Sequence, residues 1–397
     1  MKYGLIGEKL GHSYSQTIHG LLGNPDYELL ELSPEELPRF LTAPTFCGIN
    51  VTIPYKQAVI PYCELSETAA RVGSVNTLVN RGGKLFGCNT DLQGFCYLAR
   101  RAGISFDGKK VVILGSGGTA KTALIAAKDG GAREVVTISR DNFGSHKDHA
   151  NADILINTTP VGMYPNNESQ LVDLVAFPNL SGLLDVIYNP NKTRLVLAAE
   201  DRGIPAAGGL PMLVAQAFYA HKLFFDLDLD EALIEDTLVK TERQFSNIVL
   251  IGMPGCGKST LGKALAERLG LVFVDTDERM GRGPAEIISE SGEAHFRQLE
   301  SAVVAEVAKQ TGRVIATGGG SVLAEVNRLA LRQNGRIIFV DRALDRLATD
   351  DRPLSVDLAA LYKTRYPIYR DLAQKRLTVT ENCDNDSKEL ERIVCEF

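Results

Sequence analysis

Two stretches of the chain share one pattern: an apolar run, a glycine-rich turn, then a helical sequence. The first is Lys109–Gly130, "KKVVILGSGGTAKTALIAAKDG", and the second is Asn247–Gly270, "NIVLIGMPGCGKSTLGKALAERLG". A continuous apolar run has no face to give to water, so its strand must be covered on both sides. A parallel sheet with helical crossovers does this. "EVVTIS", "ADILIN" and "GLLDVI" follow the first stretch; "LVFVDTD", "RVIATGGG" and "GRIIFVD" follow the second. The pattern predicts two separate doubly covered parallel sheets.

Upstream, "YGLIG", "YELLEL" and "FCGINVTI" alternate with helical sequence. "SPEELPRFL" predicts a helix with Ser33 as cap and Pro34 at its first position. "TLVNRGGKLFG" predicts a hairpin around Gly82-Gly83, and a helix should run from about Leu92 to Ala102. "MLVAQAFYAHKLFF" is a long helical stretch able to return to the first half. The expected organisation is α/β throughout: residues 1–102, completed by 212–238, as one domain, and 103–211 as a Rossmann-like domain. The short polar stretch 239–246, "VKTERQFS", is expected as a linker to a P-loop α/β domain over 247–397.

Composition narrows function by exclusion. A net charge of −6 over 397 residues is the wrong sign for a general nucleic-acid binder. No apolar run is long enough to span a bilayer. Glu8, Lys9 and His12 come too early for a signal peptide. Seven cysteines without a Cys-x-x-Cys pair favour neither a disulfide framework nor a zinc site, so a reducing cytoplasm is expected. Small-molecule ligands are the expected partners, and nothing sets an oligomeric state.

The first loop, Gly115-Ser116-Gly117-Gly118-Thr119-Ala120, is a variant of the dinucleotide fingerprint, in which N–H groups at a helix start meet a pyrophosphate. Where NAD enzymes place an acid after the next strand, this chain has Ser139-Arg140, a cation suited to the 2′-phosphate of NADP. Reduction of a carbonyl also needs its oxygen polarised or protonated, and Lys56 of "NVTIPYK" with Asp91 of "GCNTDLQG" offers a lysine with a carboxylate partner.

Taken together, "GHSYSQTIH", "GINVTIPYK", "SVNTL", "GCNTDLQG", "GSGGTA" and "GGLPMLVAQA" resemble shikimate dehydrogenase in order and spacing, over residues 1–238. The resemblance implies NADPH-dependent reduction of 3-dehydroshikimate to shikimate. It assigns Lys56 and Asp91 as the catalytic pair, with Lys56 supplying the proton. Ser13, Ser15, Asn50, Thr52, Asn76 and Gln216 match the groups that hold the ring hydroxyls and carboxylate. Tyr188 matches a further site tyrosine, and Gly209 a cofactor contact. The chain departs from the family at Gln16, where Pro is usual. The short "DNFGSHKDHAN" is expected to lack the helix usual there.

The second loop fits G-x-x-x-x-G-K-[ST]: Gly255, Cys256, Gly257 and Thr260 belong to the cradle, Lys258 reaches the β/γ oxygens and Ser259 ligates Mg²⁺. No N-K-x-D guanine motif follows. Instead "VDTDERM" gives Asp275 and Asp277, whose spacing of two would put both on one side of an extended strand. One could serve Mg²⁺ through water and the other hold an acceptor hydroxyl. "FRQLE" puts Arg297 and Glu300 on one helical face. With "ATGGGS", "DDRPLS" and "KTRYPIY", these words resemble shikimate kinase over residues 247–397. The resemblance implies ATP-dependent phosphorylation of the shikimate 3-hydroxyl. It places Asp277 on the diol, Arg297 and Arg365 on the carboxylate, and Gly318, Gly319 and Gly320 along the ring. Asp275 would hold Mg²⁺ through water, Arg352 would be a lid arginine, and Arg346 a weaker ATP contact. A catalytically retired sensor of shikimate-type acids would be expected to lose Lys56, Asp91, the P-loop or Asp277, and all are present. A dehydrogenase half that prefers quinate or NAD is the other alternative.

Overall fold

The computed structural model describes residues 2–11, 13–347, 358–380 and 382–397. The chain divides into two compact units, Met1–Thr241 and Glu242–Phe397.

The first unit holds two sheets. One comprises β1 (Tyr3–Gly7), β2 (Tyr27–Glu31), β3 (Gly48–Val51), β4 (Glu64–Leu65), β5 (Thr77–Arg81) and β6 (Lys84–Cys88) in the order β2-β1-β3-β5-β6-β4. β1 pairs parallel with β2 and β3, and β5 pairs antiparallel with both β3 and β6. The β5–β6 hairpin turns at Gly82 and Gly83, whose φ values of 62° and 89° are the left-handed conformations a tight hairpin turn needs. The β3–β5 register sets Asn50 opposite Thr77, which matters for the site.

The second sheet comprises β7 (Lys110–Leu114), β8 (Glu134–Ile138), β9 (Ile154–Asn157), β10 (Gly182–Asp185) and β11 (Ala206–Ala207), ordered β11-β10-β9-β7-β8 and parallel throughout. Every residue of β7, β9 and β10 is buried, as the unbroken apolar runs require. The helix Leu210–Phe225 returns to the first sheet, where Ala220 and Phe224 join Leu5, Tyr27 and Val79 in one core cluster. A Cβ on Gly48 would come 2.3 Å from the Phe224 ring.

Among the described residues the second unit has one parallel sheet: β12 (Asn247–Ile251), β13 (Val272–Asp275), β14 (Arg313–Ala316), β15 (Gly335–Asp341) and β16 (Lys375–Thr378), ordered β13-β14-β12-β15-β16. β12 is central, so the P-loop rises between the ends of β14 and β15.

Three expectations change. The stretch 239–246 holds the boundary between the units, at Thr241–Glu242, but as the end of a helix, Ala232–Phe245, that buries Ile234, Thr237, Leu238 and Thr241. Its polar letters are the solvated face of an amphipathic helix. The helix expected from Ser33 begins later, at Leu37–Thr42, because Pro38 has no N–H for the Pro34 carbonyl. A seven-residue 3-10 helix, Phe143–His149, fills the segment expected to lack a helix. Among the described residues, no helix is long and apolar enough to cross a membrane.

Candidate functional site

The first unit gathers its polar residues where β3, β5 and the start of the helix Asp91–Arg101 meet. Lys56 Nζ lies 2.7 Å from Asp91 Oδ2, with the side chains 25% and 11% exposed. Asn76 fixes the other carboxylate oxygen: its Nδ2 donates to Asp91 Oδ1 at 2.9 Å and to Thr90 Oγ1 at 2.9 Å. Its Oδ1 accepts from Thr90 N at 2.8 Å and from Thr77 Oγ1 at 3.0 Å. Asn50, buried in β3, accepts from Tyr27 Oη at 2.7 Å and donates to Thr77 Oγ1 and the Asn76 carbonyl at 3.1 and 3.3 Å. Buried amides of this kind must be paired, and here protein atoms pair them. Tyr27 in turn stacks on buried His19 at 3.9 Å, whose burial holds its pKa down at about 3, so the imidazole is neutral.

Ser13, Thr52 and Gln216 are half-buried and Ser15 is buried. Gln216 Oε1 is 3.4 Å from Asn76 Nδ2. Tyr188 packs edge-on against Tyr14, centroids 5.1 Å apart, beside the Ser13–Ser15 turn. Of the sequence-predicted residues of this half, Lys56, Asp91, Asn76, Asn50 and Gln216 are joined in this one network.

The nucleotide loop caps β7. Gly115 has φ 117°, and a Cβ there would come 2.4 Å from Thr158 Oγ1. Gly117 caps the helix Gly118–Asp129 without a side-chain bond, and its first turn has no acidic residue. A Cβ on Gly117 or Gly118 would meet nothing within 4 Å. Unpaired N–H groups facing open space fit a pyrophosphate. Ser116 is exposed, Thr119 half-buried and Ala120 packed into the core. Arg140 is exposed, and Ser139 N and Oγ both donate to Asn142 Oδ1, at 2.6 and 3.0 Å. Gly209 has a structural reason to be glycine: its Cβ would lie 2.1 Å from the Val186 carbonyl.

In the second unit a cavity of about 570 Å³ is lined by the P-loop, Asp275, Asp277, Phe296, Arg297, Glu300, Gly318–Gly320, Arg342 and Arg365. Gly257, at φ 101°, starts the helix Lys258–Leu269, again with no side-chain cap and no acidic residue in its first turn. Lys258 Nζ donates to the carbonyls of Gly252 and Met253 at 3.0 and 2.9 Å. Cys256 is fully buried under the loop, 3.7 Å from that ammonium. Gly255 is buried and Thr260 exposed. Ser259 Oγ donates to Asp275 Oδ2 at 2.5 Å, a hydroxyl–carboxylate pair of oxygens that suits Mg²⁺.

Asp277 does not share an extended strand with Asp275. β13 stops at Asp275, which caps the short helix Thr276–Arg279 by accepting from Asp277 N and Glu278 N. An aspartate followed by an acidic first turn favours a helix start over two more strand residues. The turn aims Asp277 into the cavity, where its Oδ1 is buried without a hydrogen-bond partner. Burial first, then Asp275 and Glu300, push its pKa up to about 6. Arg297 Nη1 donates to Glu300 Oε2 at 2.9 Å, and Glu300 Oε1 accepts from Ser321 Oγ at 2.7 Å.

The glycine triad is demanded by space. A Cβ on Gly318 would lie 2.6 Å from Asp277 Oδ1, on Gly319 2.7 Å from Pro254, and on Gly320 2.4 Å from Arg297 Nη1. Arg365 is 6% exposed, and Tyr369, one turn on, donates to the Gly319 carbonyl. Arg346 is exposed on a 3-10 turn away from the lining, and Arg352 lies outside the described residues. Sequence reasoning missed Tyr27, Thr77, Thr90 and Arg342.

Comparison with known proteins agrees with this division. The shikimate dehydrogenase substrate-binding domain matches residues 5–78, and the shikimate kinase family matches residues 254–395. The NADP(+) shikimate dehydrogenase of Clostridium beijerinckii is 35% identical over 266 residues, 61% of this chain and 98% of that protein. Its counterpart in Clostridium perfringens is 34% identical over 268 residues, 61% and 99%. Among solved structures, a chorismate mutase/shikimate 5-dehydrogenase fusion from Clostridium acetobutylicum aligns at TM-score 0.56 and 35% identity, covering 61% of this chain and 97% of that one. Shikimate 5-dehydrogenase from Thermus thermophilus in complex with NADP(H) and shikimate aligns at 0.55 and 28%, covering 61% and 99%.

Proposed function

This chain belongs to the shikimate dehydrogenase family and carries a shikimate kinase domain behind it, and from that premise we propose that it performs two consecutive steps. The first unit reduces 3-dehydroshikimate to shikimate, and the second phosphorylates the shikimate 3-hydroxyl. The observation that carries this reading is that each unit gathers a different set of charged and polar groups: Lys56 with Asp91 in one, and Lys258, Ser259, Asp275 and Asp277 around one cavity in the other.

In the first unit NADPH, when bound, supplies a hydride; Gly115–Ala120 would hold its pyrophosphate and Arg140 its 2′-phosphate. Lys56 gives its proton to the carbonyl oxygen, so ketone, hydride and proton make the alcohol. Asp91 holds Lys56 in place and accepts from a ring hydroxyl. Asn76 and Asn50 are saturated by protein partners, so their part is to fix Asp91 and the β3–β5 wall. Ser13, Ser15, Thr52, Gln216 and Tyr188 hold the rest of the ring.

In the second unit ATP with Mg²⁺ supplies the phosphoryl group; the P-loop and Lys258 would hold the phosphates, and Ser259 with Asp275 the metal ion. Asp277 takes the acceptor's hydroxyl proton as the new O–P bond forms and the bond to the leaving diphosphate breaks. Arg297 and Arg365 grip the carboxylate.

The test supplies 3-dehydroshikimate and NADPH to the full chain, with and without ATP and Mg²⁺, and identifies products by mass. Shikimate is expected without ATP and shikimate 3-phosphate with it. Shikimate that accumulates unphosphorylated in the presence of ATP would overturn the second half, and unreduced 3-dehydroshikimate the first.

A further inference from the structure

We propose that Arg342 is a further catalytic residue of the second unit, gripping the terminal phosphoryl group from a fixed position on the sheet. The inference rests on the kinase reading above and adds a residue to it.

Among the described residues, four cationic side chains line the cavity: Lys258, Arg297, Arg342 and Arg365. Three are engaged by protein atoms. Lys258 is on the loop carbonyls, Arg297 is paired with Glu300, and Arg365 shares a hydrogen bond with Tyr369. Arg342 is half-buried and, among the described residues, has no hydrogen bond or ion pair. Its neighbour Asp341, the nearest acid in sequence, is already taken by Arg376. A partly desolvated guanidinium left unpaired in a cleft is poised for an incoming anion.

Which anion follows from the sheet. β15 is the neighbour of β12, paired through Ile251 and Phe339. The two chains stay close one residue further on, since a Cβ on Gly252 would lie 2.4 Å from the Val340 carbonyl. Arg342 stands three residues past Phe339, and Pro254 three past Ile251, so both leave the same rim side by side. Pro254 is also the residue that a Cβ on Gly319 would strike. It therefore marks where the phosphate cradle meets the glycine triad that lines the acceptor. A guanidinium beside that junction reaches the end of the nucleotide, not the acceptor's carboxylate, which the kinase reading gives to Arg297 and Arg365. Charge accumulates on the equatorial oxygens of the transferred group, and a planar fork binds two of them. Because Arg342 is anchored to a strand end, its place is set before any ligand arrives.

The test uses the full chain with Arg342→Ala and Arg342→Lys. Calorimetry measures the affinity for a non-hydrolysable ATP analogue and for ADP, and steady-state kinetics measure shikimate phosphorylation. For Arg342→Ala the analogue-to-ADP affinity ratio should fall about tenfold, with kcat down on the order of 100-fold and KM for shikimate within twofold. Arg342→Lys should keep the charge, lose the fork and fall between. NADPH oxidation in the same preparation should be unchanged. An unchanged affinity ratio, or a KM for shikimate that rises while the ratio holds, would overturn the proposal. If the wild-type chain bound both nucleotides yet phosphorylated no shikimate, the kinase reading would fail, while the ratio would still decide Arg342.

Discussion

Asp277 carries a cost in the folded protein that its replacement should relieve. Its carboxyl titrates near 6 where 3.8 is ordinary, because burial and the neighbouring Asp275 and Glu300 oppose its charge. One pKa unit corresponds to about 1.4 kcal/mol, so the ionised form bears at most roughly 3 kcal/mol at neutral pH. Water reaches part of the side chain, which lowers this to about 1–2 kcal/mol. The sign follows from proton binding. Between pH about 4 and 6 the folded chain holds a proton that the unfolded chain releases, so this group's contribution declines as pH rises through its folded value. Asp277→Asn removes the titration and keeps the shape. It should stabilise the second unit by about 1–2 kcal/mol at pH 7.5, by about half as much at pH 5, and hardly at all near pH 4. Urea unfolding measures it, and the relevant transition is the one that ADP shifts, since Lys258 and Ser259 are untouched. Phosphoryl transfer should fall at least 100-fold in the same variant. A variant less stable than wild type at pH 7.5, or equally stabilised at both pH values, would refute the reasoning.

Three further outcomes are expected. In the ligand-free enzyme the kinase kcat/KM should drop about tenfold per pH unit below pH 6 as Asp277 gains its proton; a profile flat to pH 5 would rule that role out. Lys56→Met should cut NADPH oxidation by at least 100-fold and leave ATP-dependent phosphorylation intact, with Lys258→Ala doing the reverse. Loss of both activities from either single change in a folded chain would count against two independent sites. Gly320→Ala puts a methyl 2.4 Å from Arg297 Nη1, which forces the guanidinium off Glu300. KM for shikimate in the kinase assay should rise about tenfold, the equivalent of about 1.4 kcal/mol, with the dehydrogenase KM unmoved.

What could be read from the letters was what is encoded locally. The P-loop declares itself within nine residues, and the apolar runs of β7, β9, β10 and β12 could only be buried strands. The network behind Lys56 could not be read, because it depends on a pairing register: Asn50 meets Thr77 only when β3 lies antiparallel to β5, and Tyr27 arrives from another strand. Arg342 has no spacing partner, so nothing in the sequence distinguishes it from a surface arginine. β16 was missed because it is an edge strand with only Leu377 buried, too little for an apolar signal. Asp277 escapes the period of two because Asp275, two residues before it, ends the strand and starts a helix. The helix at 232–245 was misjudged where its buried face turned from aliphatic to threonine, at Thr237 and Thr241.

The ammonium of Lys258 resting on the carbonyls of Gly252 and Met253 also has a kinetic meaning. A cradle whose own lysine is held by its loop carbonyls need not assemble around an arriving nucleotide; it only has to trade two internal contacts for external ones. Entry should then proceed at the speed of an encounter, and selectivity between triphosphate and diphosphate should be written in how slowly each departs.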